Sequence, residues 1–197
     1  MKNKKIIVVG QLPPPHHGSN VMADVFCESL KKLGFQVILC EKSFSKKMQE
    51  MGDFSLKKIL KIPAVSFKII FNVIVSKPGI CFYFASVKPP SLYFDLMVLF
   101  FINLLGCGVV LYLHGKGYER IIKEKGPFLQ KITHKIFSSC LGAIVLGEAL
   151  KGDINRHIND DRIFVLPNCI PDSGFLKYQE ERPPNKKKSI QILYLSN

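Results

Sequence analysis

The chain has 197 residues, enough for one sizeable domain with a core of ordinary depth and short for two. Hydrophobic residues make up 47% of it, which excludes a disordered tail as its main content, and 28 Lys and Arg against 15 Asp and Glu leave a net charge of +13. That excess favours a negatively charged partner, whether anionic lipid, a phosphate-bearing ligand or nucleic acid, without choosing among them.

Taken in order, Lys5 to Val9 reads as a first buried strand. It follows a basic start but is too short for a signal-peptide core, and Gly10 and Gln11 interrupt it, so the chain is expected in the cytoplasm. The loop GQLPPPHHGS then runs from Gly10 to Ser19, stiffened by prolines, with Gly18 free to bring its backbone close to a ligand. Ser19 or Asn20 can cap the helix Val21 to Leu33, whose amino end offers N–H groups to an anion. His16 and His17 read either as exposed turn residues or as a pair of which one faces that ligand. Neither a GxGxxG fingerprint nor a Walker lysine is present, which excludes the nicotinamide-dinucleotide and P-loop readings.

Gly34 ends the helix and Phe35 to Cys40 makes a second strand, followed by a polar loop from Glu41 to Asp53. From Ser55 to about Ser76 the pattern is helical, with Lys57, Lys61, Lys68 and Asn72 on one face and Pro63 expected to kink or divide it. That basic face is either a solvated surface or one that rests on anionic lipid, at the inner face of the membrane. Ile80 to Ala85 gives a third strand and Ser91 to Leu105 an apolar helix. The apolar run Leu96 to Leu113 is long enough to cross a bilayer, but Gly106 and Gly108 divide it and Asp95 stands at its entrance. A buried helix followed by a buried strand is the reading preferred.

The fourth strand, Val109 to Leu113, ends in His114-Gly115-Lys116-Gly117. In an open α/β sheet this carboxyl edge is where ligands bind. His114 is then either a ligand-facing imidazole or a hydrogen-bonded strand end, and the glycines either serve a ligand or only supply positive φ. A basic segment follows, helical from Pro127 to Ser139. Ala143 to Leu146 is a strand, Glu148 to His157 a helix, and Ile163 to Leu166 a strand running into PNCIPD. Glu148 either positions an acceptor or begins its helix favourably near the dipole.

At least six strands alternating with helices predict an α/β fold with a doubly wound parallel sheet over residues 1–178. Residues 179–188 have the charge and proline content of a linker, and residues 189–197 read as one more strand. The six cysteines stand singly, as buried reduced thiols do, and no metal site is assigned.

Five phrases in order, QLPPPHHGS, LHGKGY, IVLGEALKGDI, RIFVLPNCIPD and ILYLSN, resemble the amino-terminal half of family-4 glycosyltransferases of the GT-B fold. The resemblance covers nearly the whole chain and implies a Rossmann-like acceptor-side domain. It further implies retaining transfer, without a metal or other cofactor, from a nucleotide-sugar donor to a glycan or lipid-linked acceptor, in cell-surface polysaccharide or lipopolysaccharide assembly. Carried across, Gly18 matches a glycine of the pair near the donor diphosphate, and Ser19 stands where its partner glycine is usual. His114 matches a histidine at the reaction centre, and Asn168 the asparagine of a PN-G motif near the hinge, with Cys169 in place of glycine. The family's carboxylates for sugar and ribose belong to a second domain, of which ILYLSN resembles only the first strand, so the site is expected to be half present. The alternative is a non-catalytic remnant acting as a basic membrane-surface or interaction domain. No nucleic-acid partner is expected, since no recognition module is recognisable.

Overall fold

The computed structural model describes residues 5–13, 18–42 and 56–169. Its strands are β1 (Lys5–Gly10), β2 (Gln36–Glu41), β3 (Ile80–Ala85), β4 (Gly108–Leu113), β5 (Gly142–Val145) and β6 (Ile163–Val165). They pair in parallel throughout, in the order β2-β1-β3-β4-β5-β6. The helices are α1 (Gly18–Lys32), α2 (Leu56–Ser76), α3 (Pro89–Leu104), α4 (Tyr118–Glu124) and α5 (Pro127–Ser138).

The unbroken apolar character of β1 follows from burial on both sides. Ile7 and Val9 face a core shared with Ile69 and Val73 of α2, Leu99 and Ile102 of α3 and Phe137 of α5. Ile6 and Val8 face the opposite layer, where Ala23, Cys27 and Leu30 of α1 repeat at helical spacing. Helices therefore cover both faces, and the sheet is doubly wound, as the alternation of elements predicts.

The chain leaves β1 through α1 to β2 on one side, then returns through α2 to β3 on the other side of β1. The sheet order reverses there. A crevice opens at such a point, beyond the carboxyl ends of β1 and β3.

Several elements differ from expectation. α1 begins at Gly18, so Ser19 and Asn20 lie inside its first turn instead of ahead of it. α2 continues through Pro63 as one helix. Ile62 and Val65 on either side of the proline pack against the same core, and that contact holds the two parts in line. The apolar run from Leu96 splits as the glycines require: α3 ends, Gly106 takes a left-handed φ of 72°, and β4 starts. Among the described residues no helix is long and apolar enough to cross a membrane. The segment expected as a helix from Glu148 to His157 is a short 3-10 helix, Glu148–Asp153, followed by turns. The loop after residue 42, the linker 179–188 and the strand 189–197 lie outside the described residues.

Cys27, Cys40, Cys81, Cys107 and Cys140 are buried free thiols, whereas Cys169 is exposed. Burial pushes the Cys27 and Cys40 thiols up to about 11 and Cys140 up to about 12. These five are packing residues.

Candidate functional site

An aromatic stack builds up to the carboxyl edge on the α1 side of the sheet. Phe84 of β3 and Tyr112 of β4 are cross-strand neighbours whose rings lie 4.6 Å apart, and Phe26 of α1 meets Tyr112 edge-on at 5.4 Å. His114 ends this stack, its ring 4.5 Å from Tyr112 and 5.3 Å from Phe84, nearly parallel to both. Burial lowers the imidazole's pKa to about 4. The group is neutral near pH 7, so it does not meet a diphosphate as a cation. It can donate one hydrogen bond and accept another. Its Nε2 is buried and has no hydrogen-bond partner among the described residues. A buried polar atom left in that state is uncommon and calls for a ligand or water.

The same imidazole lines a cavity of about 90 Å3 at the switch point, together with Gln11, Ser19, Asn20, Lys42, Phe84, Ala85 and Ser86. Gln11 follows β1, Ala85 and Ser86 end β3, and Ser19 comes from the first turn of α1. Backbone N–H groups in that turn have no acceptor within the helix and carry its positive dipole end. A larger cavity of about 400 Å3 lies at the opposite edge, between the ends of α2 and α3, among Val73, Ile74, Pro78, Leu105 and Cys107. The orphaned nitrogen and the strand ends converge at the smaller one, which makes it the candidate site.

The floor of the small cavity is a buried ion pair. Lys42, directly after β2, reaches past the end of β1 and donates from Nζ to the Phe84 carbonyl at 2.8 Å, to Ser86 Oγ at 3.2 Å and to Asp95 Oδ1 at 2.7 Å. The side chains are only 7% and 1% exposed. Asp95, on α3, also accepts from the Tyr83 hydroxyl at 2.8 Å and the Ser86 N–H at 2.7 Å. Burial raises this carboxyl's pKa, and Lys42 is the chief influence pulling it back down. Lys42 and Asp95 hold Ser86 and the end of β3 in place; their charges compensate each other instead of facing outward.

The loop after β4 is anchored from two sides. Asp153 accepts from the N–H groups of Gly117 at 2.7 Å, Tyr118 at 2.9 Å and Glu119 at 3.2 Å, so the amino end of α4 already holds a carboxylate. The buried Tyr118 hydroxyl donates to the Ala85 carbonyl at 2.8 Å, tying that loop to the end of β3. The two glycines serve different needs. Gly117 takes a left-handed φ of 111°, whereas a Cβ at Gly115 would come within 2.6 Å of Val87 Cγ2.

Of the residues singled out from the sequence, Ser19 and His114 therefore meet at one cavity. Gly18 is the exposed first residue of α1, with open space where a Cβ would be. Glu148 is exposed and paired with Lys151 at 2.9 Å, and Asn168 is exposed after β6; neither lines the cavity. His17 lies outside the described residues. Sequence reasoning missed Lys42, Ser86 and Asp153, and used Asp95 only as the charge at the entrance of an apolar run. Among the described residues no three His, Cys, Asp or Glu side chains come together as a metal site requires.

No protein-family model matches the sequence, and no curated protein matches it. Solved structures do. Phytolacca americana UGT2, complexed with UDP-2fluoro-glucose and pterostilbene, superposes with a TM-score of 0.55 at 10% identity, over 93% of this chain and 58% of that one. Acinetobacter baumannii MurG aligns with a TM-score of 0.49 at 11% identity, over 93% of this chain and 50% of that one. The fold is a Rossmann-like lobe of the kind found in GT-B glycosyltransferases. The chain spans little more than half the length of the UGT2.

Proposed function

We propose that this chain is the acceptor-side lobe of a nucleotide-sugar-dependent, retaining glycosyltransferase, and that its half of the reaction site is the cavity between α1 and the ends of β1, β3 and β4. The observation that carries this reading is the unpaired, buried Nε2 of His114 in the wall of a cavity that also receives Ser19 from the first turn of α1. The neutral imidazole hydrogen-bonds a sugar hydroxyl, and the N–H groups of Gly18 and Ser19 meet the negative charge that grows on a departing diphosphate. A space of about 90 Å3 is far below the several hundred Å3 that encloses a drug-sized ligand, which suits one lobe of a cleft completed by another. The acceptor class is a glycan or a lipid-linked glycan, as in cell-surface polysaccharide assembly, and the chemistry needs no metal.

Amide chemical shifts of the labelled chain, followed during titration with UDP-glucose and with GDP-mannose, test this. The expected shifts concentrate at Gln11, Ser19, Ser86 and His114, and His114→Ala weakens binding by about tenfold, the scale of one lost hydrogen bond. Shifts confined to the larger groove at the other edge, or equal affinity in the variant, would remove the proposed role. Alone, the chain is expected to give little or no transfer of radiolabelled sugar to membrane lipid acceptors, and robust turnover would overturn the half-site.

A further inference from the structure

The outer sides of α2 and α3 are apolar where a surface helix is ordinarily polar. On α2, Phe67, Phe71 and Ile74 are 70%, 52% and 50% exposed, and the first two rings stack on each other 5.9 Å apart. On α3, Phe100, Phe101 and Leu104 are 50%, 40% and 71% exposed. The helices are neighbours on one layer of the sheet, and the groove between Ile74 and Leu105 joins their outer sides at one end. Exposed apolar side chains gathered in this way mark an interaction surface.

The charge around this face selects the occupant. α2 contains Lys57, Lys58, Lys61 and Lys68 and no acidic residue, and Lys77 follows it. The one carboxylate of α3 is Asp95, which is buried against Lys42 and sends no charge outward. Exposed Lys61 and Lys68 lie along the Asn72 side of α2, so the cations form a border to the aromatic stripe and do not interrupt it. Aromatic and aliphatic side chains bordered by lysines, without a compensating acid on either helix's outer side, match the boundary between acyl chains and anionic headgroups. The sequence alone suggests a basic face for α2; in the structure its outward centre is aromatic and the lysines flank it.

We infer that the α2–α3 face is a bilayer-docking surface, seating Phe67, Phe71 and Leu104 among the acyl chains of an anionic leaflet while Lys61 and Lys68 meet its headgroups. The inference does not depend on glycosyl transfer. Sedimentation of the full chain with vesicles of phosphatidylglycerol and phosphatidylcholine, and with phosphatidylcholine alone, tests it. The chain partitions to the anionic vesicles, and the double variant Phe67→Ser/Phe71→Ser lowers the partition coefficient by about tenfold or more, in keeping with two aromatic side chains withdrawn from lipid. Lys61→Glu/Lys68→Glu weakens binding at low salt and removes most of its salt sensitivity. Phe164→Ser, at an exposed position on the edge strand β6, binds as the parent does, and so does His114→Ala, which keeps this test separate from that of the transfer site. The substituted positions other than His114 are exposed, and a circular-dichroism melt verifies that each variant is folded. Failure of the folded chain to bind anionic vesicles overturns the inference, as does equal binding by Phe67→Ser/Phe71→Ser. A concentration-dependent dimer that the same double variant abolishes, without vesicle binding, overturns it in favour of self-association.

Discussion

His114 concentrates the residue-scale argument, because stacking on Phe84 and Tyr112 both orients the ring and strips it of water. Its pKa in the folded chain, about 4, lies below the ordinary 6.5, so the unfolded chain binds the proton more readily between those values. The stabilisation from keeping this group neutral is complete above pH 6.5 and is lost as pH falls towards 4. Each unit of depression corresponds to about 1.4 kcal/mol, reduced here because the ring is only partly buried. His157 is depressed in the same direction by burial, so the expected result is a difference. Melting temperatures from pH 7 to 4 fall less steeply for His114→Phe than for the parent, and parallel curves would contradict the assignment. The sequence shows this histidine at a strand end but not its neutrality, which depends on Phe84 arriving from β3 to cover the ring beside Tyr112. Asp95 was visible as a lone carboxylate at the entrance of an apolar run. Its partner Lys42 is 53 positions away, and no local spacing links the two.

At the scale of elements, β1, β3, β4 and β5 were legible because burial on both faces makes each an apolar run, a pattern that survives without tertiary knowledge. The segment after β5 was not. Leu150, Ile154 and Ile158 recur at helical spacing and do pack on the core, yet the helix that carries Leu150 is a 3-10 turn that ends at Asp153, before the two isoleucines. Asp153 is drawn instead to the amino end of α4, where it accepts three backbone N–H groups. Its replacement by Ala is expected to cost about 1–2 kcal/mol, the upper range for a lost cap, with Asn keeping part of it. Urea denaturation gives the magnitude, and hydrogen exchange at Gly117 to Glu119 should accelerate in the same variant. Unchanged exchange there would show that the loop after β4 is held by Tyr118 alone.

For the whole molecule, the Lys42–Asp95 pair ties β2, β3 and α3 together beneath the candidate site. Removing one partner leaves a buried charge uncompensated, so Asp95→Leu is expected to lose about 3–5 kcal/mol in chemical denaturation. Lys42→Met/Asp95→Leu should recover much of that loss, because the double change removes the stranded charge as well. Additive losses would show that the two residues act separately. A net charge of +13 was the broadest signal in the sequence, yet at the carboxyl edge Lys42 is already paired with Asp95, so that excess does not by itself mark a ligand there.

The layering of this body fixes how the two proposed surfaces are turned. The outer sides of α2 and α3 look along the normal of the sheet, whereas the strand ends that frame the cavity look along the strands, at right angles to it. A molecule lying on a leaflet by those helices therefore holds its mouth parallel to the lipid plane, like a tool laid flat on a bench. On the proposed function and the proposed docking together, an acceptor tethered in the same leaflet would arrive by lateral diffusion, and its search would shrink from a volume to an area.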